Sequence, residues 1–427
     1  MDKPLTNAIN ALTTYANEIT GVDDPDLSSA VRTLCDGYGS GGEDKWVRPA
    51  EWANFDLLSP DDHAVYFTMD NRAAPTELSV HCTGYPVLER VSIATDGTVT
   101  VLGTAYTATV NEPDITIYIP ASAGDYPVYR LHAGDGKSIT YFGFCGNYDW
   151  LKVLEMWFNL PQCTNFSIGY SYRDTLNRNM VAMTFAGFPQ NHRDMSLSGK
   201  MESLRCLRNL CDYPLYISNH MYNYCLQFIE GDIRLKTGNM ANIFRECRLL
   251  KSMDLSNAVA NQSWKSFTSA FLNCYSIKSI ILPSVDYSAV TSFDSAFSHC
   301  TVLEEFTFPE GDYSAVTNIN NMFNSDYNLR SPIILPKTLS CTIGTGVFAD
   351  CRQLPCVVIL SETMLPLSST GSFQNLYTHG RNFHLYVRQS LIEEYQQATN
   401  WSNIYAANPN FFQPIEGSEF EYLLEGE

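Results

Sequence analysis

The sequence predicts an α+β multidomain chain with short N-terminal helices, a small antiparallel β-sandwich and a C-terminal solenoid of stacked repeats. Three patterns carry this. Apolar residues fall at helical spacing before residue 36, at period two between 46 and 137, and at a period of about 26 residues over 138–387. The boundaries follow from where the period changes. Residues 1–36 form a helical anchoring or oligomerisation segment, 37–45 a Gly-rich linker, 46–137 the sandwich, 138–387 the solenoid, and 388–427 a helical cap with an acidic tail.

Leu5, Ile9, Leu12, Ala16 and Ile19 line one face of a helix, and Asp26 caps a second short helix bearing Leu27, Val31 and Leu34. Such short helices either pack on each other as a helical hairpin or serve as a docking or oligomerising segment; they bury too little to stand alone, so either way they need a partner surface. Gly37, Gly39 and Gly42 spell G-x-G-x-x-G, but no strand precedes them and no helix follows, so they read as a flexible linker. Trp46 and Trp52 are expected to pack where that linker meets the sandwich.

Period two begins there. Ile115, Ile117 and Ile119 alternate with polar or turn-prone residues, as a half-buried strand requires. Val91 and Ile93 face Val99 and Val101 across Asp96-Gly97, where glycine supplies the positive φ of a hairpin turn. Further strands are expected over 64–70, 77–83, 104–110 and 126–132.

The repeat is the strongest signal. Phe244, Phe271, Phe297, Phe323, Phe348 and Phe373 are 27, 26, 26, 25 and 25 residues apart. Cys247, Cys274, Cys300 and Cys351 stand three positions after four of them, while Asp326 and Leu376 break the rule. An apolar residue follows at six positions, then an alternating pair such as Ile280/Leu282 or Phe306/Phe308. Two units share the words Asp286-Tyr-Ser-Ala-Val-Thr291 and Asp312-Tyr-Ser-Ala-Val-Thr317. Each unit reads as a short strand, a turn and a helical piece with an i, i+3, i+7 stripe, for example Trp264/Phe267/Phe271. One unit cannot bury its apolar face, but stacked units can, with equivalent residues forming ladders. The ladder cysteines serve as small core side chains.

This unit resembles the BspA-like leucine-rich repeat family, in which F-x-x-C-x-x-L-x-x-Φ-x-Φ units stack into a leucine-rich-repeat-like solenoid. The resemblance is specific over 242–387 and weaker upstream, at Phe158, Cys163, Leu204, Leu207, Leu210, Tyr222, Cys225 and Phe228. In the general leucine-rich repeat the Asn or Cys ladder follows the strand, whereas here the cysteine precedes it. Phe383, Leu385 and Val387, a Ser390-x-x-Glu393 capping box, and Trp401 look similar to the family's closing cap. The tail's glutamates suggest a solvated end, which Phe411, Phe412, Phe420 and Tyr422 could hold down.

A formal charge of −19, from 27 Lys plus Arg against 46 Asp plus Glu, disfavours a nucleic-acid or anionic-membrane partner. No apolar run is long enough for membrane insertion. The first residues lack a basic n-region and an apolar h-region, so ordinary secretion is not expected. Thirteen cysteines, an odd count without any C-x-x-C, suggest neither a disulfide framework nor a zinc site. No nucleophile, phosphate or metalloprotease motif occurs, so no cofactor and no catalytic residue are expected.

The helices, the linker and Lys45-Trp46-Val47-Arg48-Pro49 look similar to adsorption or fibre proteins of phages infecting gut bacteria. That resemblance implies a non-enzymatic virion-surface protein, assembled in the host cytoplasm. Its N-terminal helices would join other virion proteins, as a homo-oligomer with a trimer favoured for a fibre. Its solenoid would meet a bacterial surface receptor, glycan or protein. Asp254, Ile281, Thr307 and Val358 are the expected receptor-facing strand positions. The alternatives are a bacterial BspA-like surface adhesin exported by a non-standard route, and a capsule depolymerase.

Overall fold

The computed structural model describes residues 47–70, 76–111, 114–121, 126–144, 153–167, 180–188, 194–195, 204–212, 214–217, 226–235, 239–256, 258, 264–376 and 383–424. The expected anchoring helix with Leu5, Ile9, Leu12, Ala16 and Ile19, the second helix, the Gly37–Gly42 linker and Trp46 lie outside the described residues.

The first strands are Ala64–Met69 (β1), Thr76–Cys82 (β2), Val87–Ile93 (β3), Val99–Thr107 (β4), Asp114–Ile119 (β5), Val128–His132 (β6) and Tyr141–Phe144 (β7). Pairs of strands then mark the first coils: Val153–Asn159 (β8) with Asn165–Ser167 (β9), and Ala182–Gly187 (β10) with Asp194–Met195 (β11). Cys206–Asn209 (β12) with Leu215–Ile217 (β13), and Phe228–Glu230 (β14) with Ile233–Leu235 (β15), continue the series. The remaining strands are Ser252–Asp254 (β16), Ser279–Ile281 (β17), Ile333–Leu335 (β18), Cys356–Ile359 (β19), His384–Val387 (β20) and Phe412–Pro414 (β21).

One eight-stranded sheet runs β4-β3-β6-β1-β8-β10-β12-β14. It is antiparallel as far as β8 and parallel beyond it. A second sheet, β5-β2-β7-β9, also changes from antiparallel to parallel, at β7. The self-contained sandwich expected over 46–137 is therefore corrected, because the same sheet crosses residue 137. A sandwich ending there would leave the edge of β1 with open N–H and C=O groups and the first coil without a neighbour. Pairing β1 with β8 satisfies both. All six residues of β1 are buried, the pattern of a strand covered on both faces. The sheets face a common core, with the Phe142 and Phe158 rings 5.8 Å apart.

The β3–β4 hairpin sets Val91 opposite Val101 and Ile93 opposite Val99. Gly97 turns it at φ +85°, and a Cβ there would sit 2.2 Å from the Leu57 carbonyl oxygen. Only glycine meets both conditions.

From Met240 onward another side of each coil is described, and it is not the expected helix. The N–H groups of Asn242, Phe244 and Glu246 donate to Thr268, Ala270 and Leu272 of the next coil. The residues between them close i→i+3 turns, as Cys247 N–H does to Phe244. Positive φ recurs in pairs at Asn242/Glu246, Ser269/Asn273, Ser295/His299 and Asn321/Ser325. An α-helix would spend these donors within its own coil and leave adjacent coils without hydrogen bonds. The stripe Trp264/Phe267/Phe271 is buried as expected, because a ribbon of three-residue turns also brings i and i+3 to one side.

The C-terminal cap consists of Ile392–Gln397 (α1) and Trp401–Ala407 (α2). Trp401 is buried, its indole N–H donates to the Leu365 carbonyl, and its ring lies 5.4 Å from Phe373. The expected Ser390–Glu393 capping box does not form. A 3-10 turn over Gln389–Leu391 precedes α1, no side chain caps either element, and the Gln389 N–H donates to Glu416 at 2.8 Å. Ile415 and Phe420 hold the tail down, while Tyr422 is exposed.

Candidate recognition surface

The six ladder phenylalanines stack, with successive ring centroids 5.3, 5.9, 5.4, 5.9 and 5.5 Å apart. The cysteines do more than fill space. The thiols of Cys274, Cys300 and Cys351 donate to the carbonyls of Phe244, Phe271 and Phe323, one coil back, at 3.1, 3.3 and 3.0 Å. Burial pushes these three thiols well above their usual range, which keeps them protonated donors and poor nucleophiles. Asp326, in the cysteine position, is wholly buried, and its Oδ1 accepts the Cys300 N–H at 2.8 Å. Burial pushes its carboxyl well above the usual carboxylate range, and Oδ2 has no hydrogen-bond partner among the described residues.

The shared hexapeptide is a structural device throughout. Asp286 and Asp312 accept the N–H two residues on, at 2.9 Å each. The buried Tyr287 and Tyr313 hydroxyls donate to the Pro283 and Pro309 carbonyls, and their rings stack at 5.0 Å. Thr291 and Thr317 donate to carbonyls one coil back. Sequence reasoning missed the polar residues that open each turn ribbon. Asn239, Ser266, Ser292 and Asn318 each accept the N–H two residues on. A polar residue five positions before the ladder Phe was the available signal.

These ladders fix which side chains face outward on the strand side of the coils. Asp254, Ile281 and Thr307 are exposed there, Ile281 by 52%, together with Ser252 and Glu305. A bridge from Ser279 to Glu305 keeps the coils in register across this stretch. Val358 is the exception and corrects the expectation, since it is 0% exposed. It packs with Cys356 beneath Ile415 and Phe420 of the tail, beside Ile334, Tyr386, Leu423 and Leu424. Alternation points Val358 outward, and a later segment covers it.

The other end of the strand side is covered too. The lead-in over residues 47–58 lies across the outer faces of β8 and β12. Arg48 grips the fully buried Glu155 of β8 through three contacts of 2.7–3.1 Å. Asp56 bridges Arg48 at 3.3 Å to Arg208 of β12 at 2.6 Å, and Arg208 reaches Glu230 of β14 at 3.0 Å. Phe55 and Leu58 close over Tyr66 and Trp157. Between the two covers lies an open window carrying Asp254, Ile281 and Thr307.

The described residues hold no group of three or more His, Cys, Asp or Glu able to hold a metal ion. Among them no helix is long and apolar enough to cross a membrane.

Stacked coils with aromatic and thiol ladders define a repeat solenoid. Residues 215–355 match, in six copies, the family model described as a BspA type leucine rich repeat region. The strand-bearing coils extend past both ends of that match, from β8 to β21. No curated protein matches the chain.

Proposed function

We propose that this chain is a non-enzymatic recognition protein that binds its partner through the open window. The observation that carries this reading is the pair of covers, which closes the strand side at both ends and, among the described residues, leaves three coils bare. A regular wall of exposed side chains on a rigid core suits binding of an extended partner. The BspA type repeat supports a surface adhesin-like role. For its carrier we propose a virion, with the N-terminal segment joining other virion proteins and the window meeting a bacterial surface glycan or protein. The family match favours a second reading, in which the same window serves a bacterial surface adhesin.

The test is binding of the purified full chain to host cells. Asp254→Arg, Ile281→Glu and Thr307→Arg together should weaken retention at least tenfold while the circular dichroism spectrum is unchanged. Unchanged retention would remove the window from the function. Immunogold labelling of particles against labelling of the cell envelope separates the two carriers.

A further inference from the structure

Asp326 interrupts the thiol ladder midway along the stack. At Cys274, Cys300 and Cys351 a thiol ties its coil to the one before by donating to a phenylalanine carbonyl. Asp326 offers an acceptor there instead. Its Oδ1 takes the Cys300 N–H at 2.8 Å, but that N–H also reaches the Phe297 carbonyl at 3.0 Å, so the bond is shared. Its Oδ2 is sealed in the core without a partner among the described residues.

The surroundings favour a carboxyl that keeps its proton. The titratable groups facing it are the Cys300 and Cys351 thiols, one coil to either side, and burial holds both protonated. Asp350, next to Cys351, turns its carboxylate to Asn375 at 2.6 Å and Arg352 at 3.6 Å. His299, next to Cys300, turns its ring to the Ser298 hydroxyl at 2.9 Å. Among the described residues no cation pairs with Asp326. A carboxylate here would be a buried charge without compensation, so the closed coil holds the neutral acid.

Opening reverses this. The stability of a repeat stack is a sum of contacts between neighbours, so a coil that lacks one tie is where the stack parts first. Once water reaches it, Asp326 regains an ordinary carboxyl pKa of about 3.9 and gives its proton to solvent. The closed form is therefore fully favoured below that pH. Above it, each pH unit favours the open form about tenfold, until the pH reaches the raised value of the closed form.

We infer that the contact between the Phe297 and Phe323 coils is a pH-controlled opening point, closed in acid while Asp326 keeps its proton and open more often toward neutral pH. The Phe297 coil carries Glu305 and Thr307, so the opening reaches the window without depending on what the window binds.

Thiol labelling of the full chain, resolved by peptide and divided by the rate of the unfolded chain at the same pH, tests this. The reagent is kept dilute, so that reclosing outruns labelling. Cys300 labelling should rise at least tenfold from pH 5 to pH 7. At pH 7 the buried Cys163 of the first coil should label at least tenfold more slowly than Cys300. Asp326→Asn and Asp326→Cys should each remove the pH dependence at Cys300. A wild type without that dependence overturns the inference, as does a dependence that survives in both variants. Equal rates at Cys300 and Cys163 also overturn it, because the chain then opens only as a whole.

Discussion

The two covers on the strand side are built from opposite chemistry. The N-terminal lead-in is held by a chain of charges, Glu155–Arg48–Asp56–Arg208–Glu230, over a small apolar patch. The C-terminal tail is held by apolar packing of Ile415 and Phe420 on Cys356 and Val358. Apolar contact is non-directional and indifferent to salt. A charge network specifies one docking geometry but depends on every member staying charged. The front of the window is therefore sensitive to solution conditions and the rear is not.

Removing Arg48 tests this most severely. Arg48→Ala leaves Glu155 buried without its cation and should cost about 3–5 kcal/mol in urea unfolding. Arg48→Met with Glu155→Leu should recover most of that, because no charge is then buried. Phe420→Ala at the rear should cost about 3 kcal/mol by the same measurement, with no salt dependence. Equal salt dependence at both ends would break the comparison.

Acid separates the covers further. Burial pushes the Asp56 carboxyl up, but the Arg48 and Arg208 guanidiniums outweigh it and hold it below the usual range. Its stabilising share is present above the unfolded pKa of about 3.9 and is lost as pH falls through the lower folded value. Asp326 behaves in the opposite sense. Its folded pKa is raised, so its share is full below about pH 3.9 and is lost as pH rises through the folded value. Asp326→Cys, which restores the ladder residue, should stabilise the chain by about 1–3 kcal/mol at neutral pH and by less under acid. A destabilised variant would mean that the buried carboxyl has a partner.

The smallest effect expected is from salt. Screening the partly exposed Arg208–Asp56 pair should cost about 0.2–1 kcal/mol, and Asp56→Asn should abolish that sensitivity.

The sequence displayed the stacking plainly, because a ladder needs the same side chain at the same place in every coil. Phe271, Phe297 and Phe323 therefore recur in the text as they do in space. Alternation also marked Asp254, Ile281 and Thr307 as outward. It could not reveal that a tail more than fifty residues later covers Val358, because burial by a distant segment leaves no local period. The join of β1 to β8 was hidden for the same reason. Helix and turn ribbon were indistinguishable at the level of the stripe, since a helix would bury Trp264, Phe267 and Phe271 and the ribbon buries them too. The positive-φ pairs at Ser269 and Asn273 separate them, and neither residue announces such a backbone alone. Arg48 lay in a stretch noted for its tryptophan, and its buried partner stands 107 residues away.

The measurement that most directly tests an open window between two covers is thiol labelling of the folded chain, resolved peptide by peptide. Ile281→Cys and Thr307→Cys should label rapidly, and Val358→Cys at least tenfold more slowly until Phe420→Ala uncovers it. Equal rates at all three positions in the otherwise intact chain would contradict the account.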